Sequence, residues 1–222
     1  GEADYISDKI QDMVMSGTCN YSDITILYRV HSQAVQLVNY FMSRNIPHIQ
    51  FVKTNFFLRK EMKDVITYLK IARDYDNISL KEIRNIVHRP TRYISNAALS
   101  AVEDYIDDND VSARSALEST WDLKINSMQS SNLSKLHNQL SKLSQMYKRN
   151  DSIEKMIQYI CKDSGIGYEN WAINDKIERD PEADISMDFD ALTGTAAGFE
   201  TVDAFLEHID ARIRESRKKP DE

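Results

Sequence analysis

One segment, residues 24–52, constrains the fold most, because it alone shows the pattern of a strand, a helix and a second strand. Ile24 to Tyr28 is a short, continuous apolar run of β-favouring residues, which is typical of a strand covered on both faces. Apolar residues recur at helical spacing from Ala34 to Met42, and His48 to Val52 then predicts another strand. This order predicts a parallel βαβ unit with a right-handed crossover. Since two strands do not make a stable sheet, we expect the partner strands to lie outside this chain.

The remainder of the chain is predicted to be helical almost to its end. Ser95 is a suitable N-cap for one of these helices. The longest amphipathic seam, which favours packing within a helical bundle over a free coiled coil, carries Leu133, Leu136, Leu140, Leu143 and Tyr147. The predicted fold class is therefore mainly α with a small parallel β portion, a partial α/β segment joined to a helical bundle.

Charge and hydropathy restrict the classes of partner. The formal net charge of −7 argues against a dedicated nucleic-acid coat, since phosphate binding usually requires a basic face. Any contact with DNA must therefore be local. No apolar stretch approaches the length of a membrane span, and the first twenty residues are not a secretory signal. We expect no membrane partner and a cytoplasmic location.

Motifs for an independent active site are missing from the sequence. It contains no GxxxxGK[ST] phosphate loop, no GxGxxG and no HExxH. The five histidines share no ligand spacing, so no metal site is predicted. From the residues alone, we predict a mostly helical domain that carries part of a parallel sheet and cannot perform catalysis by itself.

Three ordered segments carry a resemblance to a known family. "ITILYRVHSQAVQLVNYFMSRNIPHIQFV" is followed by "NFFLRKEMKDVITYLKIARDYDN" and then by "LKEIRNIVHRPTRYIS". In this order they resemble the start of the second RecA-like domain of UvrD/Rep/PcrA-type DNA helicases. The family's unusual FFxRxExKD run is present as Phe56, Phe57, Arg59, Glu61, Lys63 and Asp64. Further along, "DFDALTGTAAGFETVDAFLEHI" resembles the two helices that close the family's inserted helical domain.

The resemblance implies a fragment of an ATP-dependent DNA helicase that translocates on single-stranded DNA and unwinds duplexes, in repair or recombination. Residues 1–121 would be a partial second RecA-like domain (2A type), and residues 122–222 the helical insertion (2B type). In this family the nucleotide-binding motifs lie before and after such a segment. ATP and Mg would therefore be bound only by the full-length parent, whose partners are single-stranded DNA and a duplex junction. The fragment would pack against the rest of the same polypeptide, including the first RecA-like domain, and would be inactive alone.

Arg29 is the predicted catalytic and nucleotide-contacting residue. It matches the family's motif IV arginine, which contacts the ATP γ-phosphate. α/β sheets place ligand-contacting groups at the carboxyl ends of their strands, and a guanidinium there can stabilise charge on phosphoryl oxygens. The plainer alternative is a surface arginine that ends a strand.

Five further residues are predicted DNA contacts. Phe56, Phe57 and Arg59 would contact single-stranded DNA, because aromatic rings stack on bases. A Phe pair at the start of a helix usually belongs to a core, so we expect at least one ring to be buried. The resemblance places Arg92 and Tyr93 at the duplex junction. There the family's RGIG turn is replaced by "RYIS", residues 92–95, which lacks both glycines.

Two other functions fit the same sequence. The chain could be a non-catalytic helical interaction module of helicase ancestry, or the helicase part of a helicase-nuclease. A "TxHxxKGLE"-like segment downstream of Glu222 would support a motor, and a nuclease domain further along would support the helicase-nuclease.

Overall fold

The computed structural model describes residues 2–29, 31–48, 56–174 and 185–217. Three short 3-10 turns, Tyr21–Asp23, Phe56–Leu58 and Tyr75–Asn77, accompany the helices. Within these ranges the chain forms eleven α-helices, which are α1 (Glu2–Met15), α2 (His31–Ser43), α3 (Lys60–Arg73), α4 (Leu80–Ile86), α5 (Asn96–Asn109), α6 (Ala113–Glu118), α7 (Ser127–Lys148), α8 (Ile153–Cys161), α9 (Tyr168–Asn174), α10 (Ile185–Ala196) and α11 (Val202–Arg217). The predicted mainly α fold class is confirmed.

Short polar side chains begin several of these helices. The Ser95 hydroxyl accepts a hydrogen bond from the Ala98 N–H at 3.1 Å, as its predicted N-cap role requires. Asn126 caps α7 in the same way through the Gln129 N–H at 2.9 Å. Ser79 forms a capping box with Glu82 at the start of α4. Each cap stabilises its helix by about 0.5–2 kcal/mol relative to alanine. The caps fix the start of α5, which the candidate site directly precedes, and the start of α7, whose Gln129 binds that site.

The predicted first strand is wrong, because residues 24–28 are not in a strand in the structure. Ile24 has extended backbone angles, and Ile24 and Ile26 pack against α1 and α2, but Leu27 is 92% exposed. A strand requires a neighbouring strand to pair its N–H and C=O groups, and the described residues supply none here. The predicted second strand, His48 to Val52, lies outside the described residues except for His48.

Buried apolar side chains form two clusters. The small cluster consists of Ile10 from α1, Leu37 and Phe41 from α2, and Ile46. The main core takes side chains from Phe56 to Ile209, with Met62, Val65 and Leu69 of α3 at its centre. α3 packs there against α7, α8 and α11. Most of the chain is therefore organised around α3.

The main core continues across the predicted boundary between residues 121 and 122. α3, from the first predicted domain, packs on α7, α8 and α11 of the second. Residues 56–121 and the bundle thus share one hydrophobic core among the described residues. The division at residue 121 stays a prediction about the organisation of a longer parent.

Helix α10 joins the two clusters. Its Phe189 and Leu192 are buried in the main core, and the helix also packs along α2. The Asn39 side-chain amide of α2 donates to the Thr195 hydroxyl of α10 at 3.0 Å. Among the described residues, no helix is both long and apolar enough to cross a membrane.

Candidate nucleic-acid interface

Arg29 lies at the protein surface, in the bend that precedes α2. α2 is anchored by Leu37 and Phe41 in the small cluster, and by Arg44, whose guanidinium pairs with Asp4 and Asp8 of α1. Arg29 therefore lies two residues before a helix that packs against α1. An exposed guanidinium at the start of a fixed helix can contact an anionic group supplied by another part of the polypeptide.

Phe56 and Phe57, by contrast, lie inside the main core. Both rings are buried and meet edge to face, with 5.2 Å between their centroids. This agrees with the expectation that at least one ring is buried. Arg59 forms an ion pair with Asp188 of α10, in which the side chains are 12% and 7% exposed. Stacking of either ring on a base would require this part of the core to open, so the DNA contact of these three residues stays a prediction.

Residues 89–95, here called the 89–95 turn, connect α4 to α5, and Arg92 holds the turn from within. A guanidinium has five N–H donors. Nε and one terminal nitrogen donate to Gln139 Oε1 at 3.3 and 3.2 Å, and that terminal nitrogen also donates to the Tyr68 hydroxyl at 2.8 Å. The other terminal nitrogen donates to the carbonyls of Ile86 and Pro90 at 3.0 and 3.1 Å. All five donors are therefore used within the chain.

Gln129, in the first turn of α7, fixes the other side of the 89–95 turn. Its Nε2 donates to the Tyr93 carbonyl at 3.0 Å, and its Oε1 accepts from the Ser95 N–H at 2.8 Å. Both Gln129 and the intervening Ile94 are buried. One side-chain amide thus binds the backbone on both sides of Ile94.

Asp64 of α3 anchors the start of the turn. Its buried carboxylate pairs with Arg89 at 2.8 Å and accepts a hydrogen bond from the Tyr168 hydroxyl at 2.6 Å. Trp171 Nε1 of α9 donates to the Thr91 hydroxyl at 3.0 Å. Three helices, α3, α7 and α9, therefore contribute side chains that hold the turn.

The two buried phenols of this network keep their protons. Burial raises the pKa of Tyr68, although the neighbouring Arg92 partly opposes the rise. Burial and the Asp64 carboxylate both raise the pKa of Tyr168. Each phenol therefore remains a donor at neutral pH, Tyr168 to Asp64 and Tyr68 to the Arg89 carbonyl at 2.6 Å. These two neutral hydroxyls therefore add to the contacts of Arg92, Gln129 and Trp171 that hold the turn.

Tyr93 is the exposed aromatic residue of the 89–95 turn. Its side chain is 76% exposed, while its backbone has a φ of +53°, in the left-handed region that non-glycine residues rarely adopt. Such strain persists only where the surrounding structure determines it, and it often marks a functional position. The turn therefore displays an aromatic ring on a fixed backbone.

Comparison with known families agrees with the resemblance seen in the sequence. A family model described as the UvrD-like helicase C-terminal domain matches residues 1–218. The chain belongs to this family. An ATP-dependent DNA helicase PcrA of Staphylococcus epidermidis is 37% identical over 117 residues, which are 52% of this chain and 16% of the relative. A PcrA helicase of Staphylococcus aureus is 34% identical over 117 residues, with the same coverage of 52% and 16%. The chain thus matches only a small part of the length of these helicases.

The resemblance seen in the sequence aligns Tyr93, whose backbone is left-handed, with the first glycine of the RGIG pattern. A glycine adopts this conformation without steric cost. In this chain Tyr93 adopts it instead, because Arg92 and Gln129 bind the backbone on both sides of it. The turn thus holds a tyrosine in a conformation that glycine adopts more readily.

We expect Tyr93→Gly to raise the stability of the chain. Relief of the left-handed strain is worth about 1–2 kcal/mol, and the greater freedom of glycine in the unfolded state offsets about 0.4–1 kcal/mol of it. The net gain should be about 0.5–1 kcal/mol, whereas Tyr93→Ala keeps the strain and gains nothing. Urea denaturation of the two variants measures the difference. Ala97→Gly, at an exposed position of α5, is the control and should destabilise. An alanine variant at residue 93 as stable as the glycine variant would contradict the strain.

Sequence reasoning identified Arg92 and Tyr93 but missed the residues that hold them. Gln129 lies on the buried face of α7 and Gln139 is half-buried on the same helix, and neither belongs to a sequence motif. Trp171 belongs to no motif in the sequence, and its indole N–H donates to the Thr91 hydroxyl of the turn. Asp64 could have been found, since a carboxylate between Met62 and Val65 on a buried helix face requires partners.

Proposed function

We propose that this chain is part of an ATP-dependent DNA helicase of the UvrD/Rep/PcrA type. The observation that carries the proposal is the family match over residues 1–218. The names of the related helicases support ATP and DNA as the substrates of the whole protein. Such an enzyme couples ATP hydrolysis to translocation on single-stranded DNA and to duplex unwinding. We place it in the cytoplasm, in DNA repair or recombination.

In this proposal Arg29 contacts the γ-phosphate of ATP across the cleft between two motor domains. Its surface position before the fixed helix α2 supports this role. ATP would supply the γ-phosphoryl group that is transferred to water, Mg would neutralise charge on the phosphates, and other parts of the parent would hold both. The Arg29 guanidinium can donate two parallel hydrogen bonds to oxygens on which charge develops.

The proposed DNA contact of this chain is the 89–95 turn with Tyr93, at the junction between single and double strands. Its exposed ring and fixed backbone support the assignment. Phe56, Phe57 and Arg59 would contact single-stranded DNA only in a state of the parent in which the Arg59–Asp188 pair is open. The proposed division of the parent places residues 1–121 in the motor domain and residues 122–222 in the insertion.

The proposal is tested on the longer polypeptide that contains this chain. ATP hydrolysis is measured with and without single-stranded DNA, and unwinding is measured on a partial duplex. Hydrolysis that DNA stimulates, together with strand separation, is the expected result. A polypeptide that folds but neither hydrolyses ATP nor binds DNA would overturn the proposal and favour an interaction module.

The isolated chain should not bind ATP specifically. It has no phosphate loop, and such a loop or a comparable set of backbone N–H donors is what binds the β- and γ-phosphates. Calorimetric titration of the 222-residue chain with ATP and Mg should give no heat beyond dilution. The longer polypeptide is the positive control. Micromolar, Mg-dependent binding by the isolated chain would show that it contains its own nucleotide site.

A further inference from the structure

We infer that the Tyr93 ring is a stacking site for one unpaired nucleobase, and that Arg92 is a positioning residue for this site and not a phosphate contact. The inference rests on the proposed function, which supplies the DNA. It specifies which chemical group of the DNA the 89–95 turn recognises.

The hydrogen bonds that Arg92 donates within the chain leave it unsuited to bind phosphate. Each of its five N–H donors already has an acceptor within the chain, at 2.8 to 3.3 Å. A phosphate oxygen would have to displace the Ile86 and Pro90 carbonyls or the Tyr68 hydroxyl, which would then lose a donor in a partly buried place. The other arginine of the turn, Arg89, is paired with the buried Asp64 carboxylate. The arginines of this turn therefore serve its conformation.

The exposed ring of Tyr93, unlike the two arginines of the turn, can contact DNA without losing a hydrogen bond within the chain. A phenol face can stack on any base, and stacking does not depend on neutralising phosphates. This suits a chain of net charge −7, whose overall field repels DNA. Because the backbone is bound before Tyr93 by Arg92 and after it by Gln129, little backbone entropy is lost on binding. The site is organised for one flat, uncharged group.

The direct test uses the 222-residue chain and a forked DNA whose first unpaired base is 2-aminopurine. Stacking changes the fluorescence of this base, so binding of the wild-type chain should change it. Tyr93→Ala should abolish the change and weaken binding about 5- to 150-fold, while Tyr93→Phe should stay within about twofold of wild type. Tyr5→Ala is the matched control, because Tyr5 is 69% exposed on α1, away from the turn.

A second fork, with an abasic site in place of the 2-aminopurine, tests whether the base itself is recognised. The wild-type chain should bind it as weakly as Tyr93→Ala binds the intact fork, and Tyr93→Ala should lose nothing further on it. Equal affinity of the wild-type chain for the two forks would overturn the inference. So would an absence of fork binding. Neither result touches the ATP hydrolysis and unwinding of the longer polypeptide, on which the proposed function is tested separately.

Two measurements distinguish a positioning role of Arg92 from a phosphate contact. They are the salt dependence of fork binding and the energetic coupling between substitutions at Arg92 and Tyr93. Arg92→Met should weaken fork binding but leave the slope of log K against log salt unchanged, whereas a lost phosphate contact would change that slope by about 0.7–0.9. Combined with Tyr93→Ala, it should cause no further loss, because Arg92 acts through Tyr93. Gln129→Met provides a second variant if Arg92→Met folds poorly, and Arg84→Met, at an exposed pair with Glu103, is the control. A changed salt slope, or additive losses, would assign Arg92 to the phosphates.

Discussion

Arg29→Ala should lower the DNA-stimulated kcat of the longer polypeptide far more than it weakens ATP binding. An arginine that meets the γ-phosphate as charge develops acts mainly on the transition state. Such arginines contribute on the order of 10³ to 10⁵ in rate, or roughly 4 to 7 kcal/mol of barrier. We expect the lower end of that range, since the family resemblance implies a second arginine elsewhere in the parent. Arg29→Lys should restore little, because an ammonium keeps the charge but loses the planar fork.

Steady-state ATP hydrolysis at saturating single-stranded DNA measures this effect for wild type and both variants. The melting temperatures of wild type and both variants are measured alongside, so that a loss of turnover is not confused with unfolding. Arg84→Ala, which removes an exposed arginine from the surface of α4, is the matched control. Turnover within about twofold of wild type for Arg29→Ala would leave only the plainer interpretation, a surface arginine.

The helices could be predicted from the sequence because their signals are local. Leu133 to Tyr147 repeat at helical spacing and form one helix, and Ser95 caps α5 by binding an N–H three residues away. The residues 24–28 had an equally clear local pattern, but a strand forms only where another strand binds it. In the described residues Ile24 and Ile26 pack against helices instead. A local pattern therefore sufficed for the helices and failed for the strand.

The candidate site shows the same limit at the level of single side chains. Tyr93 and Arg92 are neighbours in sequence, and both were predicted to contact DNA. Their environments differ because the acceptors that surround Arg92 come from distant parts of the chain, including Tyr68 and Gln139. No spacing rule places those two residues at one guanidinium. Recognition of the family located the turn, and only the structure shows which of its two side chains is available to a ligand.

Arg59, like Arg92, either contacts DNA or stabilises the fold, in its case through the ion pair with Asp188. The effect of its substitution on the free energy of unfolding should distinguish the two roles. We expect Arg59→Met to destabilise the 222-residue chain by about 3–5 kcal/mol, since it leaves the buried Asp188 carboxylate without the guanidinium that it binds. The exposed Arg84–Glu103 pair is the control, and Arg84→Met should cost roughly 0–1 kcal/mol. Chemical denaturation of both variants measures the difference.

The double variant Arg59→Met with Asp188→Leu separates the loss of a contact from the burial of a charge. Replacing both members of a buried pair by apolar side chains is often neutral or stabilising, so the double variant should recover most of the stability that Arg59→Met loses. Hydrogen exchange should show where the loss acts: because α10 packs along α2 and accepts a hydrogen bond from Asn39, Arg59→Met should lower protection in α2 as well as in α10. Arg29 lies two residues before α2, so this ion pair would help to stabilise the helix that follows the residue on which the proposed catalysis depends. A small stability change, with unaltered exchange in α2, would instead leave Arg59 available to contact DNA.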